Sequence, residues 1–109
     1  MLEHVKGTNI ERVRLSSEAA RRIGVRTAAV RADGSRLVIP YAALLYDADG
    51  KTWTYTSPTP LVFQRHDVTV SRIAGRIAVL SSGPAAGTRV VTEGATEIWG
   101  VEYGGIEED

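Results

Sequence analysis

The stretch LVIPYAALLYDADGKTWTY, residues 37–55, decides the fold that this sequence predicts. Over the range Leu37–Tyr46 nearly every position is apolar or amphipathic, which predicts a strand with both faces buried. After the turn, threonines alternate with Trp53 and Tyr55, a pattern typical of a half-buried strand. The two segments together predict a single β-hairpin, around which we expect the rest of the chain to pack.

The turn of this hairpin, DADG, permits two registers. A type I turn, with Gly50 in a left-handed bulge, gives one set of cross-strand pairs. These pairs are Leu45 with Trp53 and Ala43 with Tyr55. A two-residue turn at Asp49 and Gly50 would instead place Tyr46 opposite Trp53. We expect Trp53 to be buried and to pack near Leu45, and that contact decides between the registers.

A short helix is predicted ahead of the hairpin. The segment SSEAARRI begins with hydroxyls that can cap a helix, from either Ser16 or Ser17, and it carries Glu18 in its first turn. Gly24 follows as the residue that ends the helix. The residues expected on its buried side are Ala19, Ala20 and Ile23.

Short apolar runs and turn residues predict the remaining strands. We expect these at residues 10–15, 25–30, 61–73, 77–80 and 89–93. Within residues 61–70 the apolar positions change from odd to even numbers, which predicts a bulge or sharp bend between Gln64 and Asp67. Pro40 lacks the amide hydrogen of a strand ladder, so we expect an edge position or a bulge there. The residues expected to close the core near the C-terminus are Ile98, Trp99 and Val101.

These elements predict a mainly β, β-rich α+β fold: a small antiparallel β-barrel or β-roll with one short N-terminal helix. The length of 109 residues corresponds to one domain. We expect a flexible N-terminus at residues 1–9, a single β domain at residues 10–104 and an acidic tail at residues 105–109.

Composition excludes several classes of function. Thirteen basic residues balance thirteen acidic ones, so no overall charge attracts the chain to nucleic acid. The chain has no cysteine, which excludes disulfides and thiolate metal sites. No apolar run approaches the roughly 20 residues that a membrane helix needs, and no signal-peptide core is visible. We therefore expect no direct membrane span.

Residue chemistry indicates no catalytic or metal site. The two histidines are His4, in the N-terminal segment, and His66, beside Asp67. Neighbours on a strand point to opposite faces, so His66 and Asp67 make a poor pair of base and orienting group. The DADG turn lacks the further carboxylates that a calcium loop needs. We expect no enzyme activity, no catalytic residues, no metal ligands and no cofactor.

Two binding motifs are also weak. Pro84 lacks an amide hydrogen and no Lys-Ser or Lys-Thr pair follows, so the loop glycines do not form a phosphate-binding loop; these are Gly83, Gly87 and Gly94. A base-stacking platform could be made from the aromatic residues Tyr41, Trp53, Tyr55 and Phe63, but core packing explains them better. The first third is rich in arginine. We interpret these residues as a solvated face of the helix and its flanking strands rather than as a binding patch; they are Arg12, Arg14, Arg21, Arg22, Arg26 and Arg31.

A series of motifs runs from Ile39 to Ala95. They are the pair Ile39-Pro40, the turn at residues 47–50, the aromatic strand at 53–55, the Val-Thr-Val of 68–70, and the Ser-Gly, Val-Val and Gly-Ala pairs at 82–83, 90–91 and 94–95. In this order they resemble the C-terminal part of periplasmic adaptors, also called membrane fusion proteins, of tripartite efflux systems. The segment RVRLSSEAARRIGVRTAAV, residues 12–30, is similar to the stretch with which many such adaptors begin after their anchor.

This resemblance implies one module of the family. In a full adaptor, lipoyl halves, a long α-helical hairpin and a barrel domain separate the two segments, whereas here residues 31–37 alone stand between them. No heptad segment is present, so the resemblance implies the membrane-proximal domain. Pro84 stands where the family has Leu, and Trp99 stands at a usually aliphatic position. Because Met1 is the only methionine, the sequence gives no support for copper or silver handling.

The resemblance implies a non-enzymatic interaction module outside the cytoplasmic membrane. Its expected partners are a membrane transporter (an efflux pump) or other adaptor segments, with no nucleic acid, and it would be held at the membrane by a partner or by an N-terminal anchor. Family contacts follow no fixed motif, so partner-binding residues stay unknown. The alternative is a small-ligand-binding β-barrel, which predicts an enclosed apolar pocket.

Overall fold

The computed structural model describes residues 2–4 and 11–102 of the chain, and the side chains of residues 12–100. The strands are β1 (Leu2–His4), β2 (Glu11–Arg14), β3 (Arg26–Ala29), β4 (Arg31–Asp33), β5 (Arg36–Pro40), β6 (Leu45–Tyr46), β7 (Thr52–Thr59), β8 (Val62–Asp67), β9 (Thr69–Ala74), β10 (Ile77–Ser82) and β11 (Arg89–Glu93). The helices are α1 (Ser17–Ile23), α2 (Ala95–Glu102) and a 3₁₀ turn at Tyr41–Ala43.

The strands form two antiparallel sheets. The larger sheet has seven strands in the order β1-β2-β8-β7-β11-β3, with β6 beside β7, and the smaller has four in the order β4-β5-β10-β9. The mainly β fold with a short N-terminal helix is confirmed, whereas the sheets do not close into a barrel. The domain boundaries stay a prediction, and the acidic tail at residues 105–109 lies outside the described residues, as does most of the segment 1–9.

Two hydrophobic clusters cover the two faces of the larger sheet. The first joins this sheet to α1 and α2; its buried members are Val13, Leu15, Ala19, Trp53, Tyr55, Phe63, Val91, Ala95 and Ile98. The second joins it to the smaller sheet; its buried members are Val30, Ile39, Ala43, Leu44, Val68, Ala78, Leu80 and Val90. Successive residues of a strand point to opposite faces, so Val90 and Val91 enter different clusters. The molecule is therefore layered as helices, larger sheet and smaller sheet.

The prediction of a single hairpin over residues 37–55 is wrong. The apolar run belongs to two sheets, because β5 lies in the smaller sheet and β6 pairs with β7 in the larger one. Pro40 ends β5, since it has no amide hydrogen for a ladder, and the 3₁₀ turn follows. Ala43 lies in that turn, buried in the second cluster, so it is not paired with Tyr55. The run is apolar at both odd and even positions because the chain crosses here from the smaller sheet to the larger one.

The predicted register around Trp53 is confirmed. Leu45 is paired with Trp53, and Trp53 is 1% exposed in the first cluster, against which Leu45 packs. Gly50 has a φ of 82°, and its amide donates to the carbonyl oxygen of Asp47 at 3.0 Å. The residue at this bulge must adopt a left-handed conformation, which glycine does without a steric penalty.

Strand β7 is buried on both faces, which corrects the prediction of a half-buried strand. Thr54 and Thr56, on the face opposite Trp53, are 0% and 3% exposed. The pattern of alternating threonines suggested a solvent-exposed face. Val90, however, is opposite Thr56 on that face and packs with residues of the smaller sheet in the second cluster. Threonine is β-branched and fits a central strand when its hydroxyl finds a partner.

The prediction of helix α1 is confirmed, whereas the position predicted for the bend is wrong. Helix α1 begins after Ser16, whose Oγ accepts a hydrogen bond from the Ala19 amide at 3.0 Å, and it ends at Gly24. The change of apolar phase does not fall between Gln64 and Asp67, where β8 pairs regularly with β7. It falls at Val68, where the chain leaves the larger sheet for the smaller one.

Candidate interaction surfaces

The two positions considered for catalysis or metal binding do not form a site. His66 is half-buried, and its Nδ1 lies 2.9 Å from the backbone oxygen of Asp67. The Oδ1 of Asp47 accepts hydrogen bonds from the amides of Asp49 and Lys51, both at 2.9 Å, so this carboxylate holds the turn. The described residues hold no group of three His, Cys, Asp or Glu placed to bind a metal. The absence of catalytic, cofactor and metal residues stays a prediction for the whole chain.

Three of the four aromatic residues considered for a stacking platform lie in the core, whereas Tyr41 is exposed and corrects the expectation of core packing for that residue. Trp53, Tyr55 and Phe63 are almost fully buried. Trp53 makes edge-to-face contacts with Tyr55 and with Trp99, at centroid distances of 4.9 and 5.2 Å. The guanidinium of Arg65 lies 5.0 Å from the centre of the Trp53 ring. These rings are therefore closed to a nucleobase, because base stacking needs an exposed ring face.

The glycine loops are held by backbone contacts. The amide of Gly87 donates to the carbonyl oxygen of Val30 at 2.8 Å, so it does not point at an anion. A Cβ atom on Gly83 would lie 2.9 Å from the Leu80 Cδ1. Gly83 therefore allows close packing against Leu80, and Gly87 links the segment after β3 to the segment before β11.

The arginines of the first third do not share one surface. The Nε of Arg12 donates to Gln64 Oε1 at 3.0 Å, while Arg26 pairs with Glu93 at 3.5 Å on the opposite edge of the larger sheet. Arg21 and Arg22 lie on α1, and Arg31 lies on the smaller sheet. The arginines are thus spread over α1 and both sheets, and do not form the single solvated face of a helix and its flanking strands that the sequence suggested.

Three surface grooves lie along the described residues. Two of them flank the turn at residues 57–61, with volumes of about 390 and 350 Å³. The third, of about 470 Å³, follows the junction of β8 and β9 beside Gly50 and Lys51. All three open to solvent, and the sheets form no barrel around them. None of these three grooves is the enclosed apolar pocket that the ligand-binding alternative predicts.

The exposed apolar side chains are the remaining candidates for contact. Tyr41, Tyr46 and Ile73 are the large hydrophobic residues that the described part of the chain leaves exposed, at 47%, 51% and 45%. Tyr41 and Tyr46 flank the crossover between the sheets, and Ile73 lies on the edge strand β9. Sequence reasoning did not single out Tyr46 or Ile73 as exposed, because an apolar residue in a strand pattern predicts burial.

Comparison with known proteins gives one match. Searches of curated proteins and of solved structures found no significant similarity. A family model, described as the C-terminal permuted SH3 domain of RND MFPs, matches residues 36–97, which is more than half of the chain. The match spans β5 to β11 and the start of α2. None of the described helices is long and apolar enough to cross a membrane. The chain belongs to the family of the C-terminal permuted SH3 domain of RND membrane fusion proteins.

Proposed function

We propose that this chain is a non-enzymatic interaction module of an efflux adaptor. It acts outside the cytoplasmic membrane by packing against a membrane transporter or against other adaptor segments, and a partner or an N-terminal anchor holds it there. The observation that carries the proposal is the family match over residues 36–97. Because one fold can serve many functions, the partner must be argued from the surface and tested there.

The exposed apolar residues are the natural place to look for this partner. Protein interfaces bury aromatic and aliphatic side chains at their centre, while charged residues stay at the rim. Tyr41, Tyr46 and Ile73 each leave about half of their surface to water. A docked transporter or adaptor segment would cover one or more of them.

Site-specific photocrosslinking in the native host tests the proposal. The photoreactive residue p-benzoylphenylalanine would replace Tyr41, Tyr46 or Ile73, one at a time, and crosslinked products would be identified by mass spectrometry. We expect at least one position to capture a membrane transporter or an adaptor. The matched control is the same residue at Arg22, which is exposed on α1.

Two results would count against the proposal. One is a folded protein that captures no transporter or adaptor at any of the three positions above the Arg22 control. The other is fractionation that finds the protein in the cytoplasm. Circular dichroism of each variant separates loss of contact from loss of fold.

A further inference from the structure

The outer face of the smaller sheet carries a row of side chains that the adaptor proposal does not use. Arg31 on β4 is opposite Val38 on β5, Val38 is opposite Val79 on β10, and Val79 is opposite Arg72 on β9. Residues directly opposite each other in antiparallel strands project to the same face. The second cluster takes the neighbouring residues of these strands, such as Ile39 and Ala78, so this row points away from it. An arginine therefore stands at each edge of the face.

A third arginine adds to this charge. Arg36 is two residues from Val38 on β5 and shares its face, with Asp33 opposite it as the one acidic residue of the face. Three arginines and one aspartate give the face a net charge of +2, although the whole chain has a net charge of zero. All four side chains are exposed.

These charges are available to a ligand. Within the part of the chain that the structure describes, no ion pair or side-chain hydrogen bond engages Arg31, Arg36 or Arg72. Arg26 differs, because it is paired with Glu93. A guanidinium group presents a planar fork of donors that matches the oxygens of a phosphate group.

The arrangement of the arginines is broad and flat. Arg31 and Arg72 are separated by three strand spacings, or about 14 Å, and Arg36 lies about 7 Å along the strand from their row. A planar array of phosphates can meet all three at once, whereas one acidic side chain can meet only one.

The face also lacks the apolar centre of a protein interface. Val38 and Val79, between the two edge arginines, are only 5% and 4% exposed. The exposed Tyr46 lies on the larger sheet, and Ile73 falls in the row of Ile39 and Ala78. Tyr41, the third exposed large hydrophobic residue, lies in the 3₁₀ turn beyond the end of β5. A surface with charge and no accessible anchor favours a partner that binds through charge alone.

We propose that the outer face of the smaller sheet binds the anionic phosphate groups of a phospholipid bilayer. Arg31, Arg36 and Arg72 contact the headgroups, and Asp33 weakens the contact. One basic residue near an anionic membrane surface raises the affinity about fivefold, so three arginines raise it about 100-fold and Asp33 lowers it about fivefold. The face as a whole then raises the affinity about 20-fold, a weak contact that suits a protein already held nearby.

Cosedimentation with vesicles tests this proposal with the full chain. The probes are vesicles of phosphatidylglycerol and phosphatidylcholine in equal parts, and vesicles of phosphatidylcholine alone. We expect binding to the anionic vesicles only, and loss of binding as NaCl rises from about 50 to about 300 mM. The triple variant Arg31→Gln/Arg36→Gln/Arg72→Gln should bind about 100-fold more weakly, and Asp33→Asn about fivefold more tightly.

The control removes the same charge from other surfaces. Arg21→Gln/Arg22→Gln/Lys51→Gln loses three exposed positive charges on α1 and at the β6–β7 turn, and it should keep most of its binding. Equal losses in the two triple variants would overturn the proposal, as would equal binding to neutral vesicles. Binding of poly-glutamate as tight as that of anionic vesicles would assign the face to an acidic protein instead. The assay contains no transporter, so its failure would leave the adaptor proposal intact.

Discussion

Two threonines on β7 differ by a single hydrogen bond. The Oγ1 of Thr56 donates to the carbonyl oxygen of Gln64 at 3.2 Å, whereas the Oγ1 of Thr54 has no partner within the described structure. Both side chains are buried. A buried hydroxyl without a partner loses its hydration and regains nothing, at a cost of about 1 to 3 kcal/mol.

The two valine substitutions should therefore have opposite effects. Thr54→Val keeps the branched shape and removes the unsatisfied hydroxyl, so we expect the free energy of unfolding to rise by about 1 kcal/mol. Thr56→Val removes a hydrogen bond and should lower it by about 1 kcal/mol. Urea unfolding followed by circular dichroism measures both values. Destabilisation of similar size in both variants would show that Thr54 has a partner, such as a buried water.

For individual residues, the sequence predicted some pairings and burials correctly and missed others, each for a physical reason. The pairing of Leu45 with Trp53 followed from the chemistry of the DADG turn. The burial of Thr54 could not be predicted, because it depends on the smaller sheet, whose strands come from distant segments of the chain and cover the face of β7 opposite Trp53. For the contact surface, core packing correctly placed Trp53, Tyr55 and Phe63 inside but was wrong for Tyr41. The exposure of Tyr46 and Ile73 depends on which strands lie at the sheet edges.

Helix α2 is the element that sequence reasoning missed. It is short and contains Thr96, Ile98 and Gly100, all of which are weak helix formers. Tertiary contacts stabilise it, since Ile98 is fully buried and Trp99 packs edge-to-face on Trp53. The expectation that Ile98 closes the core is confirmed, while the side chain of Val101 lies outside the described residues.

The start of α2 depends on a close approach at Gly94. This residue has a φ of 90°, and a Cβ atom there would lie 2.8 Å from Ile23 Cγ2 and 3.2 Å from Val25 Cγ2. Ile23, at the end of α1, and Val25, just before β3, thus leave no room for a side chain. Backbone strain and overpacking both oppose any other residue.

Gly94→Ala should lower the free energy of unfolding by about 3 kcal/mol, as the sum of strain and overpacking. The control is Gly75→Ala, at a φ of 62° with open space around the Cβ position, where strain alone should cost about 1 kcal/mol. The midpoints of urea unfolding compare the two. If both substitutions cost the same, the approach of α2 to Ile23 does not limit this position.

Over the whole molecule, the larger sheet couples the two hydrophobic clusters. Strand β7 places Trp53 and Tyr55 against the helices and buries Thr54 on the other face, and β11 contributes Val91 and Val90 in the same way. Because β7 and β11 are buried on both faces, loss of packing in one cluster would remove support from the strands that line the other. We therefore expect the molecule to unfold as one cooperative unit.

A substitution in the smaller sheet tests this coupling. Leu80→Ala removes a fully buried side chain of the second cluster and should cost about 2 to 4 kcal/mol. Tryptophan fluorescence reports on the first cluster, which contains Trp53, and far-ultraviolet circular dichroism reports on all strands. The two signals should shift to the same lower urea midpoint. A fluorescence transition that stays at the wild-type midpoint would show that the clusters unfold separately.

The turn between β4 and β5 is a position at which the fold should tolerate the insertion of a long segment. Asp33 and Arg36 are paired across the strands, and the residues between them are exposed. The chain thus leaves and re-enters the smaller sheet at neighbouring points, where the entropy of closing a loop grows only slowly with its length. A long excursion spliced at Gly34 and Ser35 would leave both sheets and both clusters in place. This turn, which here only joins β4 to β5, is therefore a position at which a domain much larger than this one could be inserted.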